Sequence, residues 1–267
     1  FTALPNGEAQ KISKKLNHKV KLIDLSADFR LDSSKSFKRW YNINHKSKNL
    51  IKHSIYSIPE LINVKLDKYK IISCPGCYPT SVLLPLVPLI KKNLISFKNI
   101  IIDSKSGYSG AGKGIHKKYV NKNLYESLSA YGVGFHRHNS EIQQELNINT
   151  KKKVNYIFTP HLSPMFRGIL STIYVELKDN INILKIIKAL KKYYKNEYFI
   201  KILQPDFLLS TNDVINTNYC HISICRTKFK NKIIILSAID NLIKGGAGQA
   251  IQNFNIYYNF HENMGLK

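Results

Sequence analysis

The stretch CPGCYPTSV, Cys74 to Val82, carries the first side chains able to do covalent chemistry. Two cysteines at this spacing serve as a redox dithiol, as half of a zinc site, or as one reactive thiol beside a bystander. Cys77 follows an apolar run, Tyr69 to Ser73, and opens a segment of helical composition. A helix N-terminus favours the thiolate, and Gly76 lets the backbone turn sharply in front of it. A strand–turn–helix setting of this kind presents a nucleophile. A zinc site needs a second ligand pair, and Cys220 and Cys225 are spaced more widely than the usual one. A dithiol role lacks a thioredoxin-like surrounding. Cys77 is therefore the candidate nucleophile, and no metal is expected.

Four further segments bear on the chemistry. In SGYSGAGKG, Ser106 to Gly114, small residues expose backbone N–H groups that can cradle an anion. The spacing matches neither the dinucleotide fingerprint nor the Walker loop, and alone it also reads as an ordinary loop. GFHRHNSEI, Gly134 to Ile142, puts His136, Arg137, His138 and Glu141 within six positions. Histidine is the usual acid/base near neutral pH, and a metal reading of the two imidazoles has no evident third ligand. FTPHLSPMFRGI, Phe158 to Ile169, sets Arg167 at a strand edge, as in an anion-facing loop. DNLIKGGAGQA, Asp240 to Ala250, leads glycines into a helix whose N-terminus could face a charged ligand; helix capping accounts for the same glycines.

These segments need elements to position them. Phe1 to Leu4 reads as the end of a strand, Pro5-Asn6-Gly7 as a turn, Glu8 to Leu16 as a helix, and Val20 to Leu25 and Tyr69 to Ser73 as buried strands. Such alternation predicts a doubly wound α/β unit. Tyr78 to Lys92 reads as a helix with Pro79 in its first turn, and Pro85 and Pro88 are expected to kink it or end it early. Asn99 to Asp103 enters the glycine-rich loop as a strand. Lys153 to Phe158, Gly168 to Leu177, His221 to Lys228 and Lys232 to Ala238 read as strands of a second sheet. Ile181 to Tyr194 is an amphipathic helix, and Gly248 to Phe260 a final one. The expected organisation is an α/β domain, 1–77 with 241–267, and an α+β domain, 78–240, with a mixed or antiparallel sheet.

The chain has 267 residues, 43% of them hydrophobic, which is the composition of a globular protein. No apolar run reaches the roughly 18 residues of a membrane helix. A formal charge of +24 invites a nucleic-acid reading. Yet the only arginines are Arg30, Arg39, Arg137, Arg167 and Arg226, and lysine pairs are scattered throughout, as on a solvated surface. Arginine and lysine are not interchangeable at bidentate anion sites, so an arginine kept in a lysine-rich chain points to function. Four cysteines do not make a disulfide scaffold at this length, and a reducing, cytoplasmic setting is expected. The sequence opens at Phe1 without Met, which leaves an upstream targeting segment open.

Taken together, FTALPNG, IDLSADFRL, PGCYPTS, DSKSGYSGAGKG, HRHNSEI, FTPHLSPMFRGILSTIYV and DNLIKGGAGQAIQN resemble, in order and over nearly the whole chain, the N-acetyl-γ-glutamyl-phosphate reductase family, NADPH-dependent enzymes of arginine biosynthesis. The resemblance implies that Cys77 attacks an acyl phosphate and releases phosphate, that hydride from NADPH reduces the thioester to N-acetylglutamate semialdehyde, and that His136 is the acid/base. It implies substrate contacts from Arg30, Ser106, Gly107, Arg137, His138, Glu141 and Arg167, with a phosphate site in the loop from Ser106 to Gly112. NADP(H) contacts would come from Pro5, Ser26, Gly76, Gly110, Asn241, Lys244 and Gly245. The partners implied are a small acyl-phosphate substrate and a second copy, as dimer or tetramer, with no membrane or specific nucleic acid. The family carries a glycine-rich phosphate loop near its N-terminus; no G-x-G-x-x-G is present here. A Rossmann-type domain lacking its first βαβ unit is therefore expected, with weak NADPH binding by the isolated chain. Cys74 stands where the family usually has Asn, which makes a Cys74–Cys77 bridge a reading to test. The alternatives are a sister reductase acting on an aspartyl or aminoadipyl substrate, carrier-bound or free, and, more distantly, a basic nucleic-acid-binding protein without catalysis.

Overall fold

Short apolar runs set the framework in a computed structural model, which describes residues 1–16, 20–111 and 126–267. The helices, in chain order, are α1 (Glu8–Lys15), α2 (Ser34–Tyr41), α3 (Lys48–Ile51), α4 (Cys77–Lys91), α5 (His138–Thr150), α6 (Ile183–Tyr193) and α7 (Gly248–Tyr257). The chain divides into two units, Phe1–Gly76 with Gly246–Lys267, and Cys77–Gly245. Cys77 and residues 241–245 thus fall in the second unit.

The first unit is built on a parallel sheet of three-residue strands, β1 (Leu22–Asp24), β2 (Ser54–Tyr56) and β3 (Ile71–Ser73), in the order β1-β3-β2. Thr2 adds a parallel bridge to Asp24. β1 and β3 are buried along their whole length, which is why they read as continuous apolar runs. Ile23 and Ile72 pack with Leu66, Cys74 and Ala250 of α7. The motif IDLSADFRL organises this unit through hydrogen bonds. Gly7 and Gln10 donate backbone N–H groups to the Asp28 carboxylate at 2.6 and 3.1 Å, capping α1 from outside the helix. Gly7 itself sits at φ 91°, a backbone state that favours glycine.

The second unit holds a seven-stranded mixed sheet in the order β5-β6-β4-β7-β10-β9-β8. Its strands are β4 (Ile100–Gly107), β5 (Ser129–Ala130), β6 (Tyr156–Ser163), β7 (Ile169–Glu176), β8 (Ile200–Ile202), β9 (Cys220–Arg226) and β10 (Lys232–Ile239). β4–β6 and β8–β9 pair in parallel; the remaining pairs are antiparallel. Burial alternates along β4 and β7, so one face is covered and the other is not. On the uncovered face Ile157, Ile101 and Tyr174 stand in register and are 64, 44 and 42% exposed.

Helix α4 lies in the core of this unit, with every residue from Tyr78 to Ile90 buried. It contacts α5, α6, β7 and β10. Pro85 and Pro88 lie inside it and neither ends it, so of the two expected outcomes, a kink or an early end, the early end does not occur. A proline withdraws the donor for the carbonyl four residues earlier. For Pro88 that carbonyl belongs to Leu84, and the Tyr194 hydroxyl donates to it instead. A tertiary donor thereby replaces the missing helical one. β4 also runs further than expected, to Gly107, so SGYSGAGKG begins in a strand. Gly112, Lys113 and Gly114 of that motif lie outside the described residues.

Candidate active site

Cys77 is the first residue of α4, at the helix end whose dipole favours a thiolate. It is only partly buried and forms no disulfide. Gly245 lies against it: a Cβ at 245 would fall 2.7 Å from the Cys77 Cβ and 3.2 Å from its Cα. Gly245, expected at the cofactor, is thus a wall of the nucleophile's own seat. Cys74 has a different environment. It is 1% exposed, its sulfur lies 4.0 Å from Asn253 Nδ2, and burial pushes its thiol up to about 12. No disulfide joins the two, and Cys74 is a core residue where a bridge partner was considered.

The residue after the nucleophile connects it to the imidazoles. The Tyr78 ring meets His136 at 5.5 Å between centroids and 89°, and His138 at 5.8 Å and 67°. Tyr131, Phe158 and His138 complete an edge-to-face enclosure of His136 at 5.3, 5.8 and 4.8 Å. This enclosure removes water and, with the Arg137 charge, lowers the His136 pKa to about 4. The His138 backbone N–H, at the start of α5, donates to His136 Nδ1 at 3.2 Å. A neutral imidazole accepting at Nδ1 carries its proton on Nε2. His136 is therefore a neutral Nε2–H donor capping a helix N-terminus. His138 instead turns its Nε2 toward the fully buried Glu141 carboxylate, 3.9 Å away. Arg137 is exposed beside them.

The glycine-rich segment departs from expectation. The N–H groups of Gly107, Tyr108 and Ser109 donate to the carbonyls of Gly168, Met165 and Phe166, so these amides fasten the 165–168 turn and are not open to an anion. Ser106 is buried and donates to the Gly107 carbonyl. Asn241, expected at the cofactor, is spent in the same clamp: its Oδ1 accepts from Gly168 N–H at 2.7 Å and its Nδ2 donates to Ser109 Oγ at 3.0 Å. Gly110 packs on it, since a Cβ there would lie 3.0 Å from Asn241 Nδ2. Arg167 is the charged group of this turn. Its Nη1 reaches Asn216 Oδ1 at 2.9 Å and the buried Asp240 carboxylate at 3.3 Å, which fixes the guanidinium while leaving it partly exposed. Lys244 is fully buried, its ammonium 5.6 Å from the Phe199 ring centroid.

In the first unit, Arg30 is used internally: its Nε donates to the Cys74 carbonyl at 2.8 Å and Nη2 to the Leu25 carbonyl at 2.7 Å. Ser26 Oγ donates to Asp24 and accepts from the Asp28 N–H. Ala3, Leu4 and Pro5 are exposed just past the Thr2 bridge, and Gly76 follows β3, both at the carboxyl end of the parallel strands. Open α/β sheets bind dinucleotides at that edge, so Pro5 and Gly76 fit a cofactor there, while the Ser26 side chain is already engaged. Tyr78, Tyr131 and Asp240 escaped the sequence reading. The one signal for Tyr78 was its place directly after the nucleophile.

The family model for the semialdehyde dehydrogenase dimerisation domain matches residues 77–241. A probable chloroplastic N-acetyl-γ-glutamyl-phosphate reductase of Arabidopsis thaliana is 44% identical over 100% of this chain and 66% of its own length. An N-acetyl-γ-glutamyl-phosphate reductase of Thermoanaerobacter pseudethanolicus is 45% identical over 100% of this chain and 77% of its own. The chain thus spans between about two thirds and about three quarters of these relatives. Among solved structures, aspartate semialdehyde dehydrogenase II of Vibrio cholerae superposes with a TM-score of 0.66, covering 96% of this chain and 78% of that one at 18% identity, a likeness of fold alone. The aspartyl or aminoadipyl alternative is accordingly not favoured. The chain belongs to the N-acetyl-γ-glutamyl-phosphate reductase family of the semialdehyde dehydrogenases, oxidoreductases of amino-acid biosynthesis that act on the aldehyde group.

Proposed function

We propose that this chain carries the acyl-phosphate chemistry of N-acetyl-γ-glutamyl-phosphate reduction, with Cys77 as nucleophile and His136 as a neutral hydrogen-bond donor. The observation that carries the reading is the junction at Tyr78, one residue after Cys77 and in edge contact with both imidazoles. The Cys77 thiolate, favoured by the α4 N-terminus, forms a C–S bond to the acyl carbon; the bond from that carbon to phosphate breaks and phosphate leaves with its electron pair. NADP(H), when bound, supplies the hydride that reduces the thioester. His136 Nε2–H donates to the carbonyl oxygen as negative charge develops there, acting while neutral because burial keeps a second proton off. Collapse of the tetrahedral adduct then breaks the C–S bond, returns the thiolate and frees the aldehyde. Arg167, aimed by Asp240 and Asn216, pairs with the substrate carboxylate. His138 and Glu141 hold the imidazole pair in place. Pro5 and Gly76 border the nicotinamide cofactor at the sheet edge. Four cysteines outside any disulfide fit a reducing compartment, cytoplasmic or organellar.

The test is NADPH oxidation by the protein with N-acetyl-γ-glutamyl phosphate, and NADP reduction with the semialdehyde plus phosphate. Cys77→Ser is expected to abolish both. Turnover retained in that variant would refute covalent catalysis, and turnover only with aspartyl phosphate would refute the substrate.

A further inference from the structure

We propose that a hydrogen-bonded relay, Tyr131 hydroxyl to Tyr78 hydroxyl to the His161 carbonyl, positions His136 and registers it against the nucleophile's helix. The proposal rests on the catalytic reading of His136 and goes one step beyond it, to the residues that aim the ring. Tyr131 donates to the Tyr78 oxygen at 3.1 Å, and Tyr78 donates onward to the His161 backbone carbonyl in β6 at 3.1 Å. Three pieces of chain are thereby joined: the start of α4, the strand β6, and the segment that carries His136. Tyr131 is itself anchored to β6, its backbone N–H donating to the Pro160 carbonyl.

Both phenol rings also touch the imidazole, Tyr131 at 5.3 Å and Tyr78 at 5.5 Å, near perpendicular in each case. Gly132 closes the same wall: it adopts φ 57°, and a Cβ on it would stand 3.2 Å from His136 Cδ2. A side chain held by contacts on several faces keeps one rotamer, and a catalytic group displaced by about 1 Å can lose roughly a hundredfold in rate. Tyr78 is buried, and burial pushes its phenol far above the ordinary value, so it stays a donor at all working pH values. Its role is to aim. Being next in sequence to Cys77, it makes the nucleophile and the imidazole share one rigid link.

The experiment uses Tyr131→Phe, Tyr78→Phe and the double variant, each keeping its ring, with folding checked by thermal melting. Two readouts are taken: steady-state kinetics, and the 15N imidazole spectrum of His136, assigned with His136→Gln. In the unaltered protein the spectrum is expected to show the Nε2–H tautomer down to about pH 5. Each single variant is expected to give mixed tautomers and about a tenfold or greater fall in kcat with KM within about twofold. The double variant is expected to be no worse than the more affected single, as for members of one network. An unchanged imidazole spectrum in both single variants would overturn the relay, as would independent, additive losses. A changed spectrum with turnover intact supports the relay and removes His136 from the chemistry, so the two readings fail separately.

Discussion

His136 shows how one side chain is tuned twice. Four rings take its water away, and a helix N–H occupies Nδ1. Both effects favour the neutral ring, and the second also fixes which nitrogen keeps the proton. With a pKa near 4 against the ordinary 6.5, its charge does not change between pH 5 and 8. The kcat profile over that range is therefore expected to show no step assignable to His136. His136→Gln should lower kcat by about a hundredfold or more with KM little changed. A titration near pH 6.5 that vanishes in that variant would mean the ring ionises and acts as a conventional base. The motif H-R-H made His136 legible in the sequence, but its protonation state was not, because that depends on aromatic neighbours drawn from Tyr78, Tyr131 and Phe158. Arg30, Asn241 and Lys244 illustrate the opposite limit. Their types pointed to ligands, yet the partners of Arg30 and Asn241 are backbone carbonyls, a backbone N–H and a serine, and Lys244 lies over a buried ring, relations that a one-dimensional pattern does not carry.

At the scale of elements, the strands were legible wherever apolar residues ran together or alternated, as in β1, β3, β7 and β10. The continuity of α4 was not, because the donor that rescues it comes from Tyr194, more than a hundred positions away. Tyr194→Phe should leave the Leu84 carbonyl buried without that donor and cost about 1–3 kcal/mol, read as a lower urea midpoint. No loss would show that the helix tolerates the unpaired carbonyl. The junction of 245 with α4 is equally tight. Gly245→Ala places a methyl 2.7 Å from the Cys77 Cβ, closer than real carbons approach, so the start of α4 must shift. The expected result is a fall in kcat of at least about tenfold, with the melting temperature changed far less than the rate. A variant with normal turnover would show that the nucleophile's position is not critical.

For the whole molecule, the charge of +24 sits mostly on lysines and coexists with three histidines held neutral by burial, His45, His136 and His221. Each has a folded pKa below its unfolded one, so the unfolded chain binds more protons as the pH falls through 6.5 toward 4, and stability must drop over that window. Asp24, raised by burial, works in the opposite sense and offsets part of it. Urea unfolding is expected to give a lower stability at pH 5 than at pH 7, with a smaller difference in His136→Gln; an equal difference would show that His136 charges freely in the fold. The family was legible because seven short motifs kept their order, each holding local geometry that one segment can encode. Finally, Pro85 and Pro88 act on the state that has no structure at all. Once Tyr194 supplies a donor for the carbonyl left open by Pro88, the rings of both prolines still restrict the unfolded backbone, so the disordered chain has fewer conformations to lose on folding. The buried helix behind the nucleophile thus gains part of its persistence from the poverty of its alternatives.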